Sequence, residues 1–171
     1  MRDPFRLDGR TVIVTGASRG IGAEVARQVS DRGGSVVLVA RTEAALATTV
    51  KTLSGPSAHV VGDIGDTLTA AEAIEAADRL GDLWGLVNNA GINPYYHPVT
   101  ETPLAEWDEV FRVNVLGAAA FARAAGLRLV ELGRGGRIVN LGSIAGLTGL
   151  PNIAPYNASK ACLLYTSPSP R

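Results

Sequence analysis

Short apolar runs rich in β-branched residues alternate along the chain with segments whose apolar residues recur every three or four positions. The runs predict β-strands, and the periodic segments predict amphipathic helices between them. The predicted strands cover residues 11–15, 35–40, 58–61, 83–87 and 137–141, and the predicted helices cover 21–32, 43–53, 68–80 and 104–132. Gly33-Gly34 and Gly55-Pro56 mark the ends of the first two helices.

The predicted strands are apolar on both sides, as in the run SVVLVA at 35–40. Strands of this kind, separated by amphipathic helices, are typical of a parallel sheet that is covered on both faces. With right-handed crossovers, the alternation predicts an α/β fold: a doubly wound, Rossmann-like parallel sheet in a three-layer α/β/α arrangement. Ligands of such sheets bind beyond the carboxyl ends of the strands.

Composition and charge narrow the possible functions. The length of 171 residues favours one domain, and the hydrophobic content of 46% can form a substantial core. The 16 basic and 16 acidic residues balance, so no net charge attracts nucleic acid or anionic lipid. The apolar runs are strand-sized and too short to cross a bilayer, and no signal peptide opens the chain. The single cysteine, Cys162, excludes an intramolecular disulfide, and we expect a cytoplasmic protein.

A glycine-rich turn, TGASRGIG at 15–22, joins the first predicted strand to the first helix. Glycines permit positive φ and let the backbone approach a phosphate, which the N-terminus of the helix attracts. The spacing is G-x-x-x-G-x-G rather than the commoner G-x-G-x-x-G. Such a turn alone is equally compatible with a purely structural role, but its position favours a dinucleotide site. The residues expected to bind the cofactor here are Gly16, Ser18, Arg19, Gly20, Ile21 and Gly22.

With this loop and several further motifs, the chain resembles the short-chain dehydrogenase/reductase family over residues 7–161. The other family signatures follow in order and are Asn88-Asn89-Ala90-Gly91, Asn114, Ser143 and Tyr156-x-x-x-Lys160. The resemblance implies an enzyme that transfers hydride between a nicotinamide dinucleotide and a carbonyl compound or secondary alcohol. The pattern is similar to that of 3-oxoacyl-carrier-protein reductases and general ketone reductases. The resemblance also implies a homodimer or homotetramer.

Tyr156 and Lys160 stand four positions apart and therefore share one face of a helix. A lysine ammonium near a phenol favours the phenolate, so Tyr156 is the expected general acid for reduction and general base for oxidation. The resemblance implies that both residues contact the cofactor and that Lys160 tunes Tyr156 and binds the nicotinamide ribose. Ser143 is expected to orient the substrate oxygen, and Asn114 to hold a relay water. Taken singly, a Tyr-x-x-x-Lys pair is common on helix surfaces, and a serine after a strand is common in turns.

The end of the second predicted strand bears on the choice between NADP(H) and NAD(H). An acidic residue there would bind the 2′-hydroxyl of the adenosine ribose and repel a 2′-phosphate. The strand is instead followed by Arg41, with no carboxylate before Glu43. A guanidinium suits phosphate oxygens, and Arg19 in the glycine loop resembles a second basic residue of NADP-preferring members. Both arginines could also be ordinary surface residues, but their shared location favours NADP(H) over NAD(H).

Two further segments are expected to contact the cofactor. Asp63, after the third strand, resembles the residue that accepts a hydrogen bond from the adenine amino group, and Ile64 would lie against the ring. A helix cap is the alternative for an aspartate here, but Asp66 or Thr67 is better placed to cap the next helix. Asn89, Ala90 and Gly91 are expected near the nicotinamide, although this motif is equally able to tie adjacent strands together.

Other functions compete with a reductase. An NAD-dependent hydroxy-compound dehydrogenase is the nearest, and a nonenzymatic dinucleotide-binding protein on the same fold is a different class. The complete set of Asn114, Ser143, Tyr156 and Lys160 favours an enzyme. Metal catalysis has no support, because His59 and His97 have no His, Cys or carboxylate partner at ligand spacing.

The last ten residues, 162–171, resemble the translation of a transposase-type sequencing adapter. Pro168 and Pro170 oppose the helix that should continue there, so we expect residues 1–161 to form the domain and 162–171 to be a non-native tail. The family fold continues with further strands and helices, so we expect a sheet that is incomplete at its C-terminal edge. We therefore expect the intact parent to be active and the 171-residue chain to be poorly stable and inactive.

Overall fold

The computed structural model describes residues 5–166 and contains one parallel sheet of five strands. The strands are β1 (Thr11–Thr15), β2 (Ser35–Ala40), β3 (Ser57–Val61), β4 (Leu83–Asn88) and β5 (Arg137–Asn140). The α-helices are α1 (Gly20–Asp31), α2 (Glu43–Val50), α3 (Thr67–Leu80), α4 (Leu104–Phe111), α5 (Ala118–Leu132) and α6 (Ala154–Thr166). A π-helical turn (Arg112–Gly117) joins α4 to α5, and short 3₁₀ turns cover Val99–Glu101 and Ile144–Gly146.

The strands lie side by side in the order β3-β2-β1-β4-β5, and every neighbouring pair is parallel. The chain therefore builds outward from β1 to β3 and then returns to the other side of β1 to form β4 and β5. This confirms the predicted doubly wound sheet. The direction of winding changes between β1 and β4, where a crevice forms beyond the carboxyl ends of the strands.

Two apolar clusters on opposite faces of the sheet form the core. On one face, Ile13 and Val37 pack with Phe121 of α5 and the alanines of α3. On the other, Val14 and Leu38 pack with apolar residues of α1 and α2. All five residues of β1 are buried, which explains why its sequence is apolar on both sides.

The predicted helix ends are close to the observed ones. α1 ends at Asp31 and is followed by Gly33, whose φ of +83° is a left-handed conformation that favours glycine. α2 ends at Val50, three residues before the predicted end. The Asp66 side chain accepts a hydrogen bond from the Leu68 N–H at 3.0 Å and caps α3, as expected from the sequence.

The segment 104–132, which the sequence predicts to be one regular helix, contains the π-helical turn at its middle. A π turn adds a residue to the helical repeat and redirects the side chains on either side of it. Two close contacts accompany it here: Asn114 bonds to a neighbouring loop, and a Cβ on Gly117 would lie only 2.8 Å from the Ile64 carbonyl oxygen. Apolar periodicity does not detect such a local change.

The same stretch, Leu104–Leu132, is long and apolar enough to cross a membrane by length and composition. The short apolar runs of the sequence did not indicate this, because the apolar residues are distributed over several turns. Core helices of soluble proteins meet the same criterion. Here Val110, Val113, Phe121 and Ala125 are buried within the domain.

β5 and α6 form the C-terminal part of the described fold, where the sequence predicts that the sheet is incomplete. β5 is the edge strand of the described residues, and its Ile138 and Val139 are 38% and 49% exposed. α6 continues to Thr166 and buries Leu163, so the helix extends five residues past the predicted end of the domain at residue 161. The helix-breaking prolines, Pro168 and Pro170, lie outside the described residues.

Candidate active site

A cleft of about 630 Å³ opens at the carboxyl ends of β1 to β4. Its wall is formed by the glycine loop, the ends of three strands and one residue of the π-helical turn. The lining residues are Gly16, Ser18, Arg19, Gly20, Ile21, Ala40, Arg41, Thr42, Ala45, Gly62, Asp63, Ile64, Asn89, Ala90, Gly91, Ile92 and Val113. The structure thus brings together 11 of the 14 residues that the sequence proposes for the cofactor. Gly22, Tyr156 and Lys160 do not line this cleft.

The glycine loop is shaped by backbone conformations and close approaches that favour glycine. Gly16 and Gly20 have φ values of +65° and +57°. A Cβ on Gly16 would lie 2.9 Å from the Ala90 Cα, and a Cβ on Gly22 would overlap the Gly16 carbonyl oxygen. Gly22 therefore stands behind the loop and packs against it. The N-terminus of α1, which makes no side-chain capping bond at Arg19, faces the cleft with its positive dipole end.

The Asn-Asn-Ala-Gly motif ties together the strands that flank the cleft. The Asn88 amide donates to Asn140 Oδ1 at 2.9 Å and to the Ala118 carbonyl oxygen at 3.0 Å, joining β4 to β5 and α5. The Asn89 amide donates to the Thr15 carbonyl oxygen at 2.8 Å, joining the end of β4 to β1. Residues 89–91 also line the cleft. The motif therefore both ties adjacent strands together and forms part of the cleft wall.

Arg19 and Arg41 both line the cleft and are exposed. Glu43, the first carboxylate after β2, begins α2 and is not a lining residue. Asp63 lines the cleft at the end of β3, where its carboxylate accepts hydrogen bonds from the Gly65 N–H at 2.9 Å and from Arg112 at 3.0 Å. The bond from Arg112, assisted by the Gly65 N–H, lowers the pKa of Asp63. Asp63 is therefore an ionised acceptor at the cleft wall and does not cap a helix.

Asn114 is fully buried and joins three elements near the inner end of the cleft. Its Oδ1 accepts the Ile92 N–H at 2.7 Å, while its amide donates to the Ile92 carbonyl oxygen at 2.9 Å and to Ser159 Oγ at 3.0 Å. Ser159 Oγ in turn donates to the Tyr156 carbonyl oxygen at 2.8 Å. Asn114 therefore holds the loop after β4 against α6, and this explains an asparagine in a helix interior.

Lys160 is 5% exposed, and burial lowers its pKa. Its Nζ donates to the Leu141 carbonyl oxygen at 2.7 Å and lies 5.8 Å from the centroid of the Tyr156 ring. A Cβ on Gly91 would lie 3.5 Å from Lys160 Nζ and 3.3 Å from Asn114 Oδ1. Gly91 thus connects the cleft to Asn114 and Lys160 and leaves their side chains room beside it.

Ser143 begins the turn that follows β5, and its Oγ accepts the Ala145 N–H at 3.1 Å. The turn packs directly on α6, because a Cβ on Gly146 would lie 2.7 Å from the Lys160 carbonyl carbon. The structure therefore brings the Ser143 turn, Tyr156, Lys160 and Asn114 to one region. This region adjoins the cleft at Gly91.

A family model for the short chain dehydrogenase matches residues 10–167, nearly the whole chain. The chain belongs to the short-chain dehydrogenase family. The resemblance inferred from the motifs is thereby confirmed. Members of this family are oxidoreductases that bind a nicotinamide dinucleotide.

Individual relatives agree with this assignment. This chain is 35% identical to a short-chain type dehydrogenase/reductase of Picea abies, over 92% of this chain and 62% of the relative. It is 38% identical to galactitol 2-dehydrogenase (L-tagatose-forming) of Cereibacter sphaeroides, over 95% of this chain and 64% of the relative. A solved short chain dehydrogenase/reductase from Burkholderia phymatum, in complex with NAD, has a TM-score of 0.90 and 31% identity, over 95% of this chain and 59% of that one. This chain thus spans less than two thirds of the length of these relatives.

Three polar residues support the site but were not predicted from the sequence to do so. The Thr15 hydroxyl accepts the N–H groups of Asn89 and Ala90, each at 3.1 Å, and so fixes the motif at the cleft. Ser159 bonds Asn114, and Arg112 bonds Asp63. Ser159 carried a usable signal, since a polar residue beside Lys160 and three positions after Tyr156 shares their helix. Nothing in the sequence indicates the partner of Arg112, 49 residues away from it.

His97 has a carboxylate partner, contrary to expectation. Its Nε2 lies 2.6 Å from Glu106 Oε2, because the loop after β4 folds back onto α4. Tyr95 in the same loop bonds Glu109 of the next helical turn. These pairs do not form a metal site: across residues 5–166, no group of three or more His, Cys, Asp or Glu side chains could hold a metal ion.

Proposed function

We propose that the complete protein is an NADP(H)-dependent oxidoreductase that transfers hydride between NADP(H) and a carbonyl compound or secondary alcohol. The observation that carries this proposal is the buried Lys160 ammonium beside the Tyr156 ring, adjoining at Gly91 a cleft that the glycine loop and the ends of β2 to β4 line. The cleft suits a dinucleotide, because the glycine loop and the N-terminus of α1 line it, where backbone N–H groups can receive a phosphate. The nicotinamide group supplies or accepts the hydride when bound.

The residues of this chain manage the proton and the oxygen of the substrate. Tyr156 donates a proton to the developing alkoxide during reduction and removes one during oxidation. Lys160 favours the phenolate through its charge, and the loss of solvent around Lys160 strengthens this interaction. Ser143 orients the substrate oxygen by a hydrogen bond.

Asn114 supports this arrangement in two ways. Its three hydrogen bonds hold α6 against the loop after β4. Asn114 Oδ1 accepts one hydrogen bond, from the Ile92 N–H. Its second acceptor position is open to the relay water that would connect Lys160 with solvent. We therefore assign the proton relay to this side of the site.

The preference for NADP(H) rests on Arg19 and Arg41, which line the cleft while the nearest following carboxylate, Glu43, does not. An NAD-dependent hydroxy-compound dehydrogenase is the alternative, and the relative from Burkholderia phymatum was solved in complex with NAD. The two cofactors differ only in the 2′-phosphate, so the arginines are the residues that would discriminate between them.

We predict that Arg41→Ala weakens NADPH binding by about 10- to 100-fold, as expected for the loss of a charge-assisted hydrogen bond, and changes NADH binding little. The measurement is the Kd of each cofactor by titration calorimetry. Arg79→Ala is the matched control, because Arg79 is 70% exposed and lies on α3 outside the cleft. Equal losses for NADPH and NADH would argue against a phosphate contact and favour the NAD-dependent alternative.

The proposed activity is tested with the reading frame continued beyond Ala161, purified and assayed with NADPH and a panel of ketones. We expect turnover by this longer protein and none by the 171-residue chain, whose β5 edge is partly exposed. NADPH binding without turnover by the longer protein would instead support a nonenzymatic dinucleotide-binding protein. Turnover by the 171-residue chain would contradict its proposed inactivity.

We also propose that the complete protein is a homodimer or homotetramer. Leu116, Leu127 and Val130 are 64%, 58% and 81% exposed along the outer side of the π-helical turn and α5. Phe121 and Ala125, on the opposite side, are buried in the core. An apolar stripe of this kind is typical of a surface that a second subunit covers. Sedimentation of the complete protein as a monomer at micromolar concentration would contradict this proposal.

A further inference from the structure

Arg112 connects the cofactor cleft to the π-helical turn. It is the first residue of that turn, and its Nη2 donates to Asp63 Oδ2 at 3.0 Å across 49 residues of sequence. The guanidinium passes directly over Gly65, where a Cβ would overlap Arg112 Nη1. A side chain at position 65 would therefore require the guanidinium to move.

The carboxylate of Asp63 is held on both oxygens. Oδ2 accepts from Arg112, and Oδ1 accepts from the Gly65 N–H at 2.9 Å. Two bonds in different directions fix the rotation of the carboxylate. Each oxygen keeps a second acceptor position, and the side chain is still 33% exposed at the wall of the cleft.

The loop that carries Asp63 is also fixed at the other end of the π-helical turn. A Cβ on Gly117 would lie 2.8 Å from the Ile64 carbonyl oxygen, so the two backbones are in close contact. Both ends of the π-helical turn, Arg112 and Gly117, therefore contact the loop and hold it in place. Asn114, between them, points to Ile92 and Ser159 on the other side.

We propose that Arg112 is a positioning residue for recognition of the adenine base. It keeps the Asp63 carboxylate directed so that its remaining acceptor positions receive the 6-amino group of adenine. Arg112 does not itself touch the cofactor. The inference rests on the proposed function, since it requires that a dinucleotide occupies the cleft with its adenine beside Asp63.

A merely structural ion pair would behave differently. Arg112 is 45% exposed, and ion pairs of such exposure contribute little to stability. Loss of Arg112 would then weaken the binding of all dinucleotide ligands equally or of none of them. A positioning role instead predicts a selective loss for ligands that carry the amino group.

The test compares NADP⁺ with nicotinamide hypoxanthine dinucleotide phosphate, in which a carbonyl oxygen replaces the amino group. Both are titrated into the complete protein by calorimetry. A carboxylate accepts from an amino group but opposes a carbonyl oxygen, so we expect the wild type to prefer NADP⁺ by about tenfold. In Arg112→Gln the preference should fall to about twofold, because the carboxylate loses its orientation. Arg112→Lys, which keeps the charge and one donor, should recover part of it.

The control is Arg128→Gln, which removes another Arg–Asp pair. Arg128 bonds Asp78 at 2.9 Å between α5 and α3, away from the cleft, so the preference should equal that of the wild type. The positioning role would be overturned if Arg112→Gln kept the wild-type preference for NADP⁺ over the hypoxanthine analogue. It would also be overturned if Arg128→Gln lost this preference to the same extent as Arg112→Gln. A wild type without any preference would also overturn it and leave the proposed function intact. Failure of the wild type to bind either dinucleotide would overturn the proposed function as well.

Discussion

Tyr156→Phe in the complete protein is expected to lower kcat by about a hundred- to ten-thousandfold, the usual contribution of a general acid or base. The phenyl ring keeps the shape of the side chain and its contact with Lys160, whose Nζ lies 5.8 Å from the ring centroid. Only the hydroxyl is lost. The proton of the reaction then has no donor at this position, while the cleft at Gly16 to Gly91 is unchanged.

Cofactor binding separates this chemical effect from misfolding. The Kd for NADPH should stay within about twofold of the wild-type value, since the hydroxyl is not part of the cleft wall. The midpoint of urea unfolding should also be unchanged. Turnover within tenfold of the wild type would show that another group supplies the proton, and the role proposed for Tyr156 would be abandoned.

Gly22→Ala is expected to destabilise the fold by about 3 kcal/mol, near the upper end of ordinary overpacking costs. The new Cβ would overlap the Gly16 carbonyl oxygen and approach Asn89 Nδ2 to 2.5 Å. The nearest obstacle is backbone, so no side chain can rotate away to make room. The glycine loop and the end of β4 would have to separate, and NADPH binding should be lost with them.

Gly126→Ala is the matched control for this substitution. Gly126 lies within α5, and a Cβ there meets nothing within 4 Å. Alanine favours the helix over glycine by about 1 kcal/mol, so this variant should be more stable than the wild type. Urea unfolding followed by far-UV circular dichroism measures both changes. A Gly22→Ala protein as stable as the wild type would show that the loop is looser than its contacts indicate.

The sheet was predictable from the sequence because each of its strands is a short apolar run. β1 and β2 have the predicted bounds, and the position of the glycine loop between β1 and α1 follows from the same pattern. The cleft residues followed from the family motifs. The π-helical turn was not predictable, because one additional residue in a helical repeat hardly changes the spacing of the apolar positions around it.

Long-range polar pairs were the least predictable part of the site. The bond between Arg112 and Asp63 depends on how the loop after β3 and the π-helical turn pack, and neither residue type is unusual at its position. The pair between His97 and Glu106 was missed because it depends on how the loop after β4 packs against α4. Asn114 shows the opposite case, since an asparagine within a predicted helix already suggested a structural or chemical reason, even though its bonds to Ile92 and Ser159 could not be named.

The cleft is assembled from the ends of β1, β2, β3 and β4, and the first and last of these ends, Thr15 and Asn88, are 73 residues apart in the sequence. Under the proposed function, a dinucleotide would find its binding partners only after the central strands have paired. Its binding free energy would then oppose the cooperative loss of the whole sheet rather than the fraying of one element. At a saturating concentration of dinucleotide, the occupied fraction of this crevice would report the fraction of molecules that have reached the native topology.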